Sequence, residues 1–488
     1  MNGGEKAIFA LVTFILASIL GPRDFGMVSM AMVYILFIQM FLEQGLCLAL
    51  IQRKNLDAKH LDSVFWMVLV AGLALVGTSV ALSGWWSRVN HLPALARLIR
   101  WLSVSIVVES LSVVQRAVLM RDMDFKSLSL RSNAAAAFGA VVSLGMAFSG
   151  LGVWALVGQK LGEDAAALLL LWKLSHWRPR FRFSLLHMKQ LFGFSVASLF
   201  TKIGVFVNGY STGLLMGLFF GPVAVGVYRL AERLITTVLD VTTTPLQLAA
   251  FPQFARLQDN QAELRKSVLQ CLKLSATLTI PAFTGLALVS GPLMRALGPQ
   301  WKMATHVLQI LCILGVILTF TRFAETLLPA LSRVRSIAIT KWSECFLMVC
   351  LLSFMSLALK KLPIEEQVIG IALSRLGLGA LVFGPILLYL LMSCSGISFS
   401  LLFSIMIPPL LAAGAAAAAV LGILISGLIQ GARPVAVLAA EVMLGGLAAM
   451  GTLYVSDWQL RDNLRQFISK AWCVDVNGPS DPVVAKEA

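Results

Sequence analysis

Long apolar stretches, separated by short segments that carry most of the charge, follow one another along almost the whole chain. A helix that crosses the hydrocarbon core of a bilayer needs roughly 20 mostly apolar residues, and most of these stretches reach that length. They predict fourteen transmembrane helices, over residues 7–20, 27–51, 62–84, 98–119, 128–149, 152–172, 194–220, 225–250, 268–294, 304–331, 337–359, 367–392, 399–426 and 434–455.

The first stretch is short for a complete crossing, because only fourteen residues follow Lys6 before Gly21. A secretory signal peptide would also combine a basic residue with a short apolar run. We favour a transmembrane helix, since Gly21-Pro22 leads directly into another apolar helix and no cleavage site of the small-x-small type stands out. A native helix that begins before this chain does is a further interpretation.

One segment occurs twice along the chain. Gly21-Pro22-Arg23-Asp24-Phe25-Gly26 returns in outline as Gly221-Pro222-Val223-Ala224-Val225-Gly226, each copy between two apolar runs. Six predicted helices separate the copies, so the two halves enter the membrane in the same direction and form parallel repeats. The fold class is therefore an all-α polytopic membrane protein. Its predicted parts are an N-lobe (1–173), a cytoplasmic linker (174–193), a C-lobe (194–393), two further helices (394–456) and a cytoplasmic tail (457–488).

Composition excludes a soluble globular domain, since 58% of the residues are hydrophobic, only 13% are charged and the mean hydropathy is +0.85. The net charge of +15 need not indicate a nucleic-acid partner, because cytoplasmic loops retain Lys and Arg. With the N-terminus inside, 24 of these residues fall on the cytoplasmic side and nine on the outer side. Both termini are therefore expected in the cytoplasm.

The predicted linker alternates aromatic and basic residues from Trp177 to Phe183. Such residues stack on nucleic-acid bases in some proteins. Next to a membrane they more often lie among the headgroups and contact anionic lipid, and we favour that interpretation. Membrane lipids are thus expected partners, and nucleic acid is not.

Charged residues inside the predicted spans are functional candidates, because a charge in the hydrocarbon region is costly. Several have a partner of opposite charge one helical turn away, which favours a purely structural pair. Arg229 with Glu232, Arg322 with Glu325, and Lys160 with Glu163 and Asp164 are such sets. No such partner accompanies Glu43, Glu109, Lys202, Asp240, Arg375 and Glu441.

Cations in a cavity of low dielectric suit an anionic cargo such as a phosphate ester. The candidate substrate-binding cations are Lys202, Arg229, Arg233, Arg322 and Arg375. Carboxylates in such a place suit a coupling proton or sodium ion, because burial makes their protonation sensitive to conformation. The candidates for this role are Glu43, Glu109 and Asp240. We predict no catalytic residue, no cofactor and no resident metal.

Enzyme chemistry has one weak signal. Asp122-Met123-Asp124 has the spacing with which glycosyltransferases hold a divalent cation and a sugar diphosphate. It lies in a short basic loop without a domain around it, so we do not favour this interpretation. No phosphate-cradling P-loop pattern is present in the sequence.

An ordered series of short motifs resembles the oligosaccharide flippase or polysaccharide transporter family, of the lipopolysaccharide and exopolysaccharide exporter type. This family belongs to the multidrug, oligosaccharidyl-lipid and polysaccharide exporter superfamily. The resemblance covers about residues 7–393 and rests on Leu20-Gly21-Pro22-Arg23-Asp24-Phe25-Gly26-Met27-Val28, Ala49-Leu50-Ile51-Gln52-Arg53-Lys54, Val64-Phe65-Trp66, Gln115-Arg116-Ala117, Met123-Asp124-Phe125, Gly152-Val153-Trp154-Ala155-Leu156-Val157, Trp177-Arg178-Pro179 and Phe251-Pro252-Gln253-Phe254-Ala255-Arg256-Leu257-Gln258.

The resemblance implies two six-helix lobes around a cationic cavity. It implies alternating access that moves undecaprenyl diphosphate-linked repeat units across a bacterial inner membrane, coupled to an ion gradient, with glycan polymerase and export machinery as partners. The seventh helix departs from the family, which often has Asp-Asn before Leu-Leu and Arg after the Gly that follows. Here Thr212-Gly213 precedes Leu214-Leu215, and Leu218 follows Gly217.

Three functions are compatible with the sequence. The first is the flippase. The second is a cation-coupled multidrug or small-solute antiporter of the same architecture, which carboxylates and aromatic residues in the cavity would favour. The third is a membrane-embedded enzyme of glycan assembly. The longest predicted outer connection, about residues 85–97, is too short for a catalytic domain, so we predict a transporter and not an enzyme.

Overall fold

The structure is a computed structural model that describes residues 3–43, 50, 57–182, 185–426 and 434–456, and these residues contain helices but no β-strand. The helices are α1 (Gly3–Ile19), α2 (Pro22–Glu43), α3 (Ala58–Val89), α4 (Pro93–Leu102), α5 (Val104–Arg121), α6 (Phe125–Phe148), α7 (Trp154–Leu174), α8 (Leu185–Thr242), α9 (Thr244–Arg256), α10 (Gln261–Leu288), α11 (Ser290–Leu297), α12 (Ala304–Ala330), α13 (Val334–Leu359), α14 (Ile364–Leu378), α15 (Gly384–Ser395), α16 (Phe399–Ser426) and α17 (Pro434–Ser456).

Within the described ranges, nine helices are long and apolar enough to cross a bilayer. The prediction of an all-helical, multi-pass membrane protein is confirmed, and the number fourteen stays a prediction. Helix α1 has 17 residues and begins at Gly3, four positions before the apolar run that predicted it. At 1.5 Å per residue it is about 25 Å long, somewhat less than a hydrocarbon core of about 30 Å.

Four spans that the sequence predicts as continuous, 98–119, 225–250, 268–294 and 367–392, are each divided between two helices. Two of these breaks lie at a residue with a hydroxyl group. Helix α4 gives way to α5 at Ser103, whose hydroxyl donates to the Ile99 carbonyl at 2.7 Å and lies 2.8 Å from the Ser79 hydroxyl. Helix α8 gives way to α9 at Thr243, whose hydroxyl lies 3.1 Å from that of Ser275. Hydroxyl groups satisfy local backbone carbonyls and contact neighbouring helices, so such breaks are tolerated in an apolar environment.

We keep the name N-lobe for α1–α7 and C-lobe for α8–α15. The linker between them is docked on α3 up to residue 182. The indole of Trp66 donates to the Arg180 carbonyl at 2.9 Å and stacks on Phe181, with ring centroids 4.5 Å apart. The Arg180 amide donates to Asp62 Oδ1 at 3.1 Å. Aromatic and backbone contacts thus hold this part of the linker on the N-lobe.

The second copy of the repeated segment lies inside α8. Gly221 has φ +81° and ψ −173°, a backbone conformation that residues with a Cβ atom rarely adopt. The helix therefore turns at this residue and has two arms. Pro222 opens the second arm as Pro22 opens α2, because proline fits the first turn of a helix, where its missing N–H is not needed.

The two copies meet each other in the fold. A Cβ atom on Gly26 would overlap the carbonyl oxygen of Pro222, and a Cβ atom on Gly226 would overlap the carbonyl oxygen of Pro22. The contact is therefore reciprocal, as expected for two related elements packed about a local two-fold axis. Glycine is required at both positions because the two backbones touch. We call this contact the glycine crossing.

A buried tryptophan packs on the helices next to the glycine crossing. Trp301 lies in the 3-10 turn Pro299–Trp301 between α11 and α12 and is fully buried. Its indole N–H donates to the Ala17 carbonyl at 2.7 Å, and its ring meets Phe25 edge-on, with centroids 5.5 Å apart. A C-lobe residue thus packs on the last turn of α1 and the first turn of α2. This contact joins the two lobes at the end of the molecule where the glycine crossing lies.

We expect Gly26→Ala to destabilise the protein, because the added methyl group must push the Pro222 backbone away. Overpacking of this kind costs about 1–3 kcal/mol in the free energy of unfolding. The measurement is thermal unfolding of the purified protein in detergent. Gly77→Ala is the matched control, since its Cβ would meet nothing within 4 Å. Equal unfolding temperatures for the two variants would contradict the glycine crossing.

Candidate functional site

A cavity of about 680 Å³ lies between the lobes and begins next to the glycine crossing. Helices α1, α2 and α7 line it from the N-lobe, and α8, α12 and α14 line it from the C-lobe. The contribution of α2 is one helical stripe, and its members are Phe25, Val28, Ser29, Met32, Val33 and Leu36. Their spacing of three and four residues places them on one face, and this face is mostly apolar.

The charged residues of the lining all lie on helices other than α2. Five cations and three carboxylates line the cavity, and these are Lys160, Arg229, Arg233, Arg322, Arg375, Glu163, Glu232 and Asp240. Four of the predicted substrate-binding cations and one predicted coupling carboxylate are therefore brought together. Sequence reasoning had set Lys160, Glu163 and Glu232 aside as members of local pairs, although charge at mid-span was the signal that could have identified them.

Glu232 is held between two arginines. Arg229 Nη1 donates to one carboxylate oxygen at 2.7 Å, and Arg375 Nη1 donates to the other at 2.6 Å. The same Arg375 nitrogen donates to the hydroxyl of Tyr228, a fully buried residue, at 2.7 Å. The carboxylate partner of Arg375 thus lies on a different helix, α8. The Arg229–Glu232 pair that the sequence spacing predicts is present.

Arg229 keeps one donor unused. Its guanidinium lies 5.4 Å from the Tyr210 ring centroid and passes over Gly213, where a Cβ atom would stand only 2.5 Å from Nη2. The departure from the family at Thr212-Gly213 therefore makes room for the Arg229 side chain. Nη2 is buried and has no hydrogen-bond partner in the described protein. A buried donor of this kind is costly unless a ligand or water accepts from it.

Arg233 and Arg322 make no ion pair within 4.0 Å in the described part of the chain. The Arg233 guanidinium stacks over the ring of Phe9 at 4.1 Å. Arg322 Nη1 lies 3.5 Å from the Thr244 hydroxyl. Lys160, by contrast, is bound to Asp164 at 2.6 Å. The cavity therefore combines neutralised cations with two whose charge is not locally matched.

An ion pair joins the lobes at the other end of α1. Lys6 Nζ lies 2.8 Å from Asp240 Oδ2, and the Thr244 hydroxyl lies 3.3 Å from the other oxygen. Since Lys6 is near the start of α1 and the glycine crossing is beyond its last residue, the two contacts are separated by about 20 Å of helix. The cavity lies between them.

Other predicted residues have different positions. Glu109 does not line the cavity and pairs with Arg116 at 2.7 Å, two turns along the same helix. The prediction that Arg322 pairs with Glu325 was wrong. Glu325 instead forms an ion pair with Lys341 of α13, with 2.5 Å between Nζ and Oε1. The side chains of Glu43 and Lys202 lie outside the described residues. Glu441 is buried in α17 and does not line the cavity.

The loop carboxylate Asp124 has a structural role. It caps α6 by accepting from the Ser127 amide at 3.0 Å. Hydrogen bonds from the Ser127 hydroxyl and amide hold the pKa of the Asp124 carboxyl below its usual range. An N-cap accounts for this residue type at this position.

Solved structures show the same fold. The chain is similar to the lipid II flippase MurJ in an inward closed conformation, with a TM-score of 0.71 and 15% identity over 94% of this chain and 98% of that one. It is similar to an inward-facing multidrug resistance transporter of the MATE family, with a TM-score of 0.62 and 16% identity over 80% and 95%. At such identities the likeness concerns the fold alone.

Three curated relatives share sequence with the chain. The succinoglycan biosynthesis transport protein ExoT of Rhizobium meliloti is 27% identical over 67% of this chain. The lipopolysaccharide biosynthesis protein WzxC of Escherichia coli is 26% identical over 66%. The teichuronic acid biosynthesis protein TuaB of Bacillus subtilis is 26% identical over 58%. The matched segments span 66%, 66% and 59% of these relatives' own lengths.

The family relationship covers more than half of the chain. Residues 15–306 match the model of a family described as polysaccharide biosynthesis protein. This segment includes the glycine crossing, the linker and three of the five cavity cations, and it agrees with the resemblance seen in the motifs. The chain belongs to the polysaccharide biosynthesis protein family.

Proposed function

We propose that the protein is a flippase that moves undecaprenyl diphosphate-linked oligosaccharide units across a bacterial inner membrane for export of a polysaccharide or lipopolysaccharide. The observation that carries the proposal is the convergence of five cations from both lobes on one cavity. Family membership supports a role in polysaccharide assembly. The names of the relatives, which include a succinoglycan transport protein and a lipid II flippase, support transport of a lipid-linked glycan rather than catalysis.

A diphosphate suits this wall of the cavity chemically. A guanidinium group offers paired N–H donors that match two phosphate oxygens, and the pairing is strong where water is excluded. Arg229 brings an unused buried donor, and Arg233 and Arg322 bring unmatched charge. The apolar stripe on α2 lines the same cavity as these arginines. We assign the diphosphate to these three arginines, with Arg375 and Glu232 holding Arg229 in place.

A cationic drug is a poorer cargo for the same cavity. Cations outnumber carboxylates on its wall by five to three, and one of the carboxylates, Glu232, is already bound to two arginines. Like charges repel more strongly in a low dielectric than in water. The multidrug antiporter is therefore the less favoured function, although the fold is compatible with it.

We propose that alternating access works through the two contacts that frame the cavity. With the N-terminus in the cytoplasm, the glycine crossing is on the outer side and the Lys6–Asp240 pair is on the cytoplasmic side. Entry of cargo from the cytoplasmic leaflet then requires the ion pair to open, and release requires the glycine crossing to separate. A partly exposed ion pair is worth little, so it can act as a latch that opens readily.

Coupling to a proton or sodium gradient is part of the proposal. Asp240 lines the cavity, so its protonation would release Lys6 and loosen the cytoplasmic latch. Glu109 lies deeper in the N-lobe with Arg116 and would couple through that helix. Glu43 remains a candidate from the sequence. Glycan polymerase and export machinery are the proposed partners on the outer side.

Replacing the unmatched cations tests the substrate assignment. We expect Arg233→Gln and Arg322→Gln each to reduce glycan export roughly tenfold to a hundredfold, because a charge-assisted hydrogen bond contributes about 1.5–3 kcal/mol. Protein level should stay normal, since neither removes an ion pair. Export is measured as surface glycan in a strain that lacks the chromosomal copy, with membrane levels checked by immunoblot. Lys126→Gln, which removes an exposed cation at the start of α6, is the control for net charge.

Two further variants complete this test. Arg229→Gln and Arg375→Gln should also reduce export, but they leave Glu232 with a single partner. Breaking one side of a buried pair costs about 3–5 kcal/mol, so lower protein levels are expected for these two. Normal export by all four arginine variants, with normal protein levels, would sink the substrate assignment.

Charge exchange tests the cytoplasmic latch. We expect Lys6→Glu and Asp240→Lys each to open the cavity, and the double variant to close it again, because only the double variant restores opposite charges. The readout is the rate at which a membrane-impermeant maleimide labels Thr236→Cys in inside-out vesicles, compared with protein that lacks this cysteine. Labelling should be several times faster in the single variants. A double variant that labels as fast as the singles would argue against the latch.

Gradient dependence tests coupling. Transport into vesicles is measured under imposed proton or sodium gradients for Asp240→Asn, Glu109→Gln and Glu43→Gln. We expect at least one of these to lose its response to the gradient, because an amide cannot be protonated or bind a cation as a carboxylate does. Lys6→Gln breaks the same ion pair as Asp240→Asn but keeps the carboxylate, so it should stay gradient-dependent. Equal wild-type rates with and without a gradient would remove the ion from the mechanism.

A further inference from the structure

A second concave site lies outside the central cavity, in the groove between α10 and α16. Its volume is about 520 Å³. The α10 side is a single helical face, and its members are Ala262, Arg265, Lys266, Leu269, Gln270 and Lys273. The α16 side consists of Leu401 and Ile405, one turn apart. We call this site the basic groove. None of its residues lines the central cavity.

The lining of the basic groove is positively charged. Arg265, Lys266 and Lys273 contribute three cations, and no carboxylate is among the eight residues that line it. Arg265 and Lys266 are exposed, and neither forms an ion pair within 4.0 Å in the described part of the chain. Arg265 and Lys266 are neighbouring cations that repel one another, so an anion that binds beside them removes an unfavourable interaction.

The other property of the groove is its apolar floor. Leu269, Leu401 and Ile405 lie between the two helices beside the cations, and exposed Leu274 and Leu278 continue along α10. Helix α10 is long and apolar enough to cross a bilayer. A molecule that fills the groove would therefore place an anionic group among the cations and an apolar chain along the helices. A free anion would match only the first of these features.

The position of the groove along the membrane normal agrees with a lipid headgroup. The start of α10 and the end of α15 meet at one end of the bundle, where Gln261 Nε2 donates to the Cys394 carbonyl at 3.3 Å. Helix α16 begins a few residues later, at Phe399. Arg265 and Lys266 thus lie in the first two turns of α10, near the polar boundary of the membrane, where basic residues attract anionic lipids. Lys273 lies in the fourth turn of the same helix.

We propose that the basic groove binds one anionic phospholipid of the surrounding bilayer, with its phosphate among Arg265, Lys266 and Lys273 and an acyl chain along Leu269, Leu401 and Ile405. The lipid bridges the C-lobe helix α10 to the C-terminal pair α16 and α17. This inference is independent of the cargo, because the groove and the central cavity share no residue.

The test is lipid binding to the purified full-length protein in detergent, followed by native mass spectrometry. Phosphatidylglycerol is titrated against phosphatidylcholine. We expect one retained phosphatidylglycerol molecule, bound at least about tenfold more tightly than phosphatidylcholine, because each basic residue near the surface favours anionic lipid. The triple variant Arg265→Gln, Lys266→Gln and Lys273→Gln should lose this preference. Equal retention by wild type and triple variant would overturn the proposal.

A matched triple variant separates the site from overall charge. Lys126→Gln, Arg256→Gln and Arg335→Gln remove three exposed cations elsewhere, and this variant should keep the wild-type preference. An equal loss in both triple variants would refute a specific groove. If the groove variant does not fold, Arg265→Gln with Lys266→Gln alters only two exposed residues, and a reduced preference is expected from it as well.

Two soluble or lipid probes distinguish the sources of the anion. Glycerol phosphate, which carries the headgroup chemistry without acyl chains, should not displace phosphatidylglycerol at millimolar concentration. Undecaprenyl phosphate should not displace it at equimolar concentration. Displacement by glycerol phosphate would indicate a plain anion site, and displacement by undecaprenyl phosphate would indicate a cargo site. Either result would overturn the assignment to a bilayer phospholipid.

Discussion

The glycine crossing is the contact on which the rest of the structure depends. Because Gly26 and Gly226 carry no Cβ, the first turns of α2 and of the second arm of α8 approach until backbone touches backbone. Two helices of ordinary residues would stay 8–10 Å apart. The cavity between the lobes begins beside this contact, where Phe25 and Val28 of α2 and Arg229 of α8 are among its lining residues.

The charges in the cavity are divided between two tasks. Arg375 donates to Glu232 and to Tyr228, and Glu232 also accepts from Arg229. This network holds Arg229 beside Tyr210. The network leaves one buried donor of Arg229, Nη2, without a partner in the described protein. Arg233 and Arg322 lie outside it and retain their charge for an anion. The arginines within the membrane-spanning helices thus have two roles. Some form ion pairs that hold neighbouring side chains in place, and others are available to bind an anionic ligand.

The apolar runs predicted nearly every helix, because a bilayer tolerates backbone polar groups only inside helices. They did not predict the breaks at Ser103 and Thr243, where a hydroxyl meets a neighbouring helix that the local sequence does not specify. Spacing along one helix predicted the Arg229–Glu232 and Lys160–Asp164 pairs correctly. It was wrong for Glu325, because Lys341 on another helix competes for the same carboxylate. Local spacing describes only the partners on the same helix.

The sequence alone determined the helical membrane fold, the duplication and the family. Apolar runs predicted the fold, the repeated Gly-Pro segment indicated the duplication, and the ordered motifs indicated the family. The copies at Gly21 and Gly221 also indicated two related lobes. Only the tertiary structure decided that these copies touch, that Gly213 leaves space for Arg229, and that Lys6 reaches Asp240. Those contacts join residues more than fifteen positions apart, and their geometry depends on how helices cross, which no local pattern of apolar and polar residues contains.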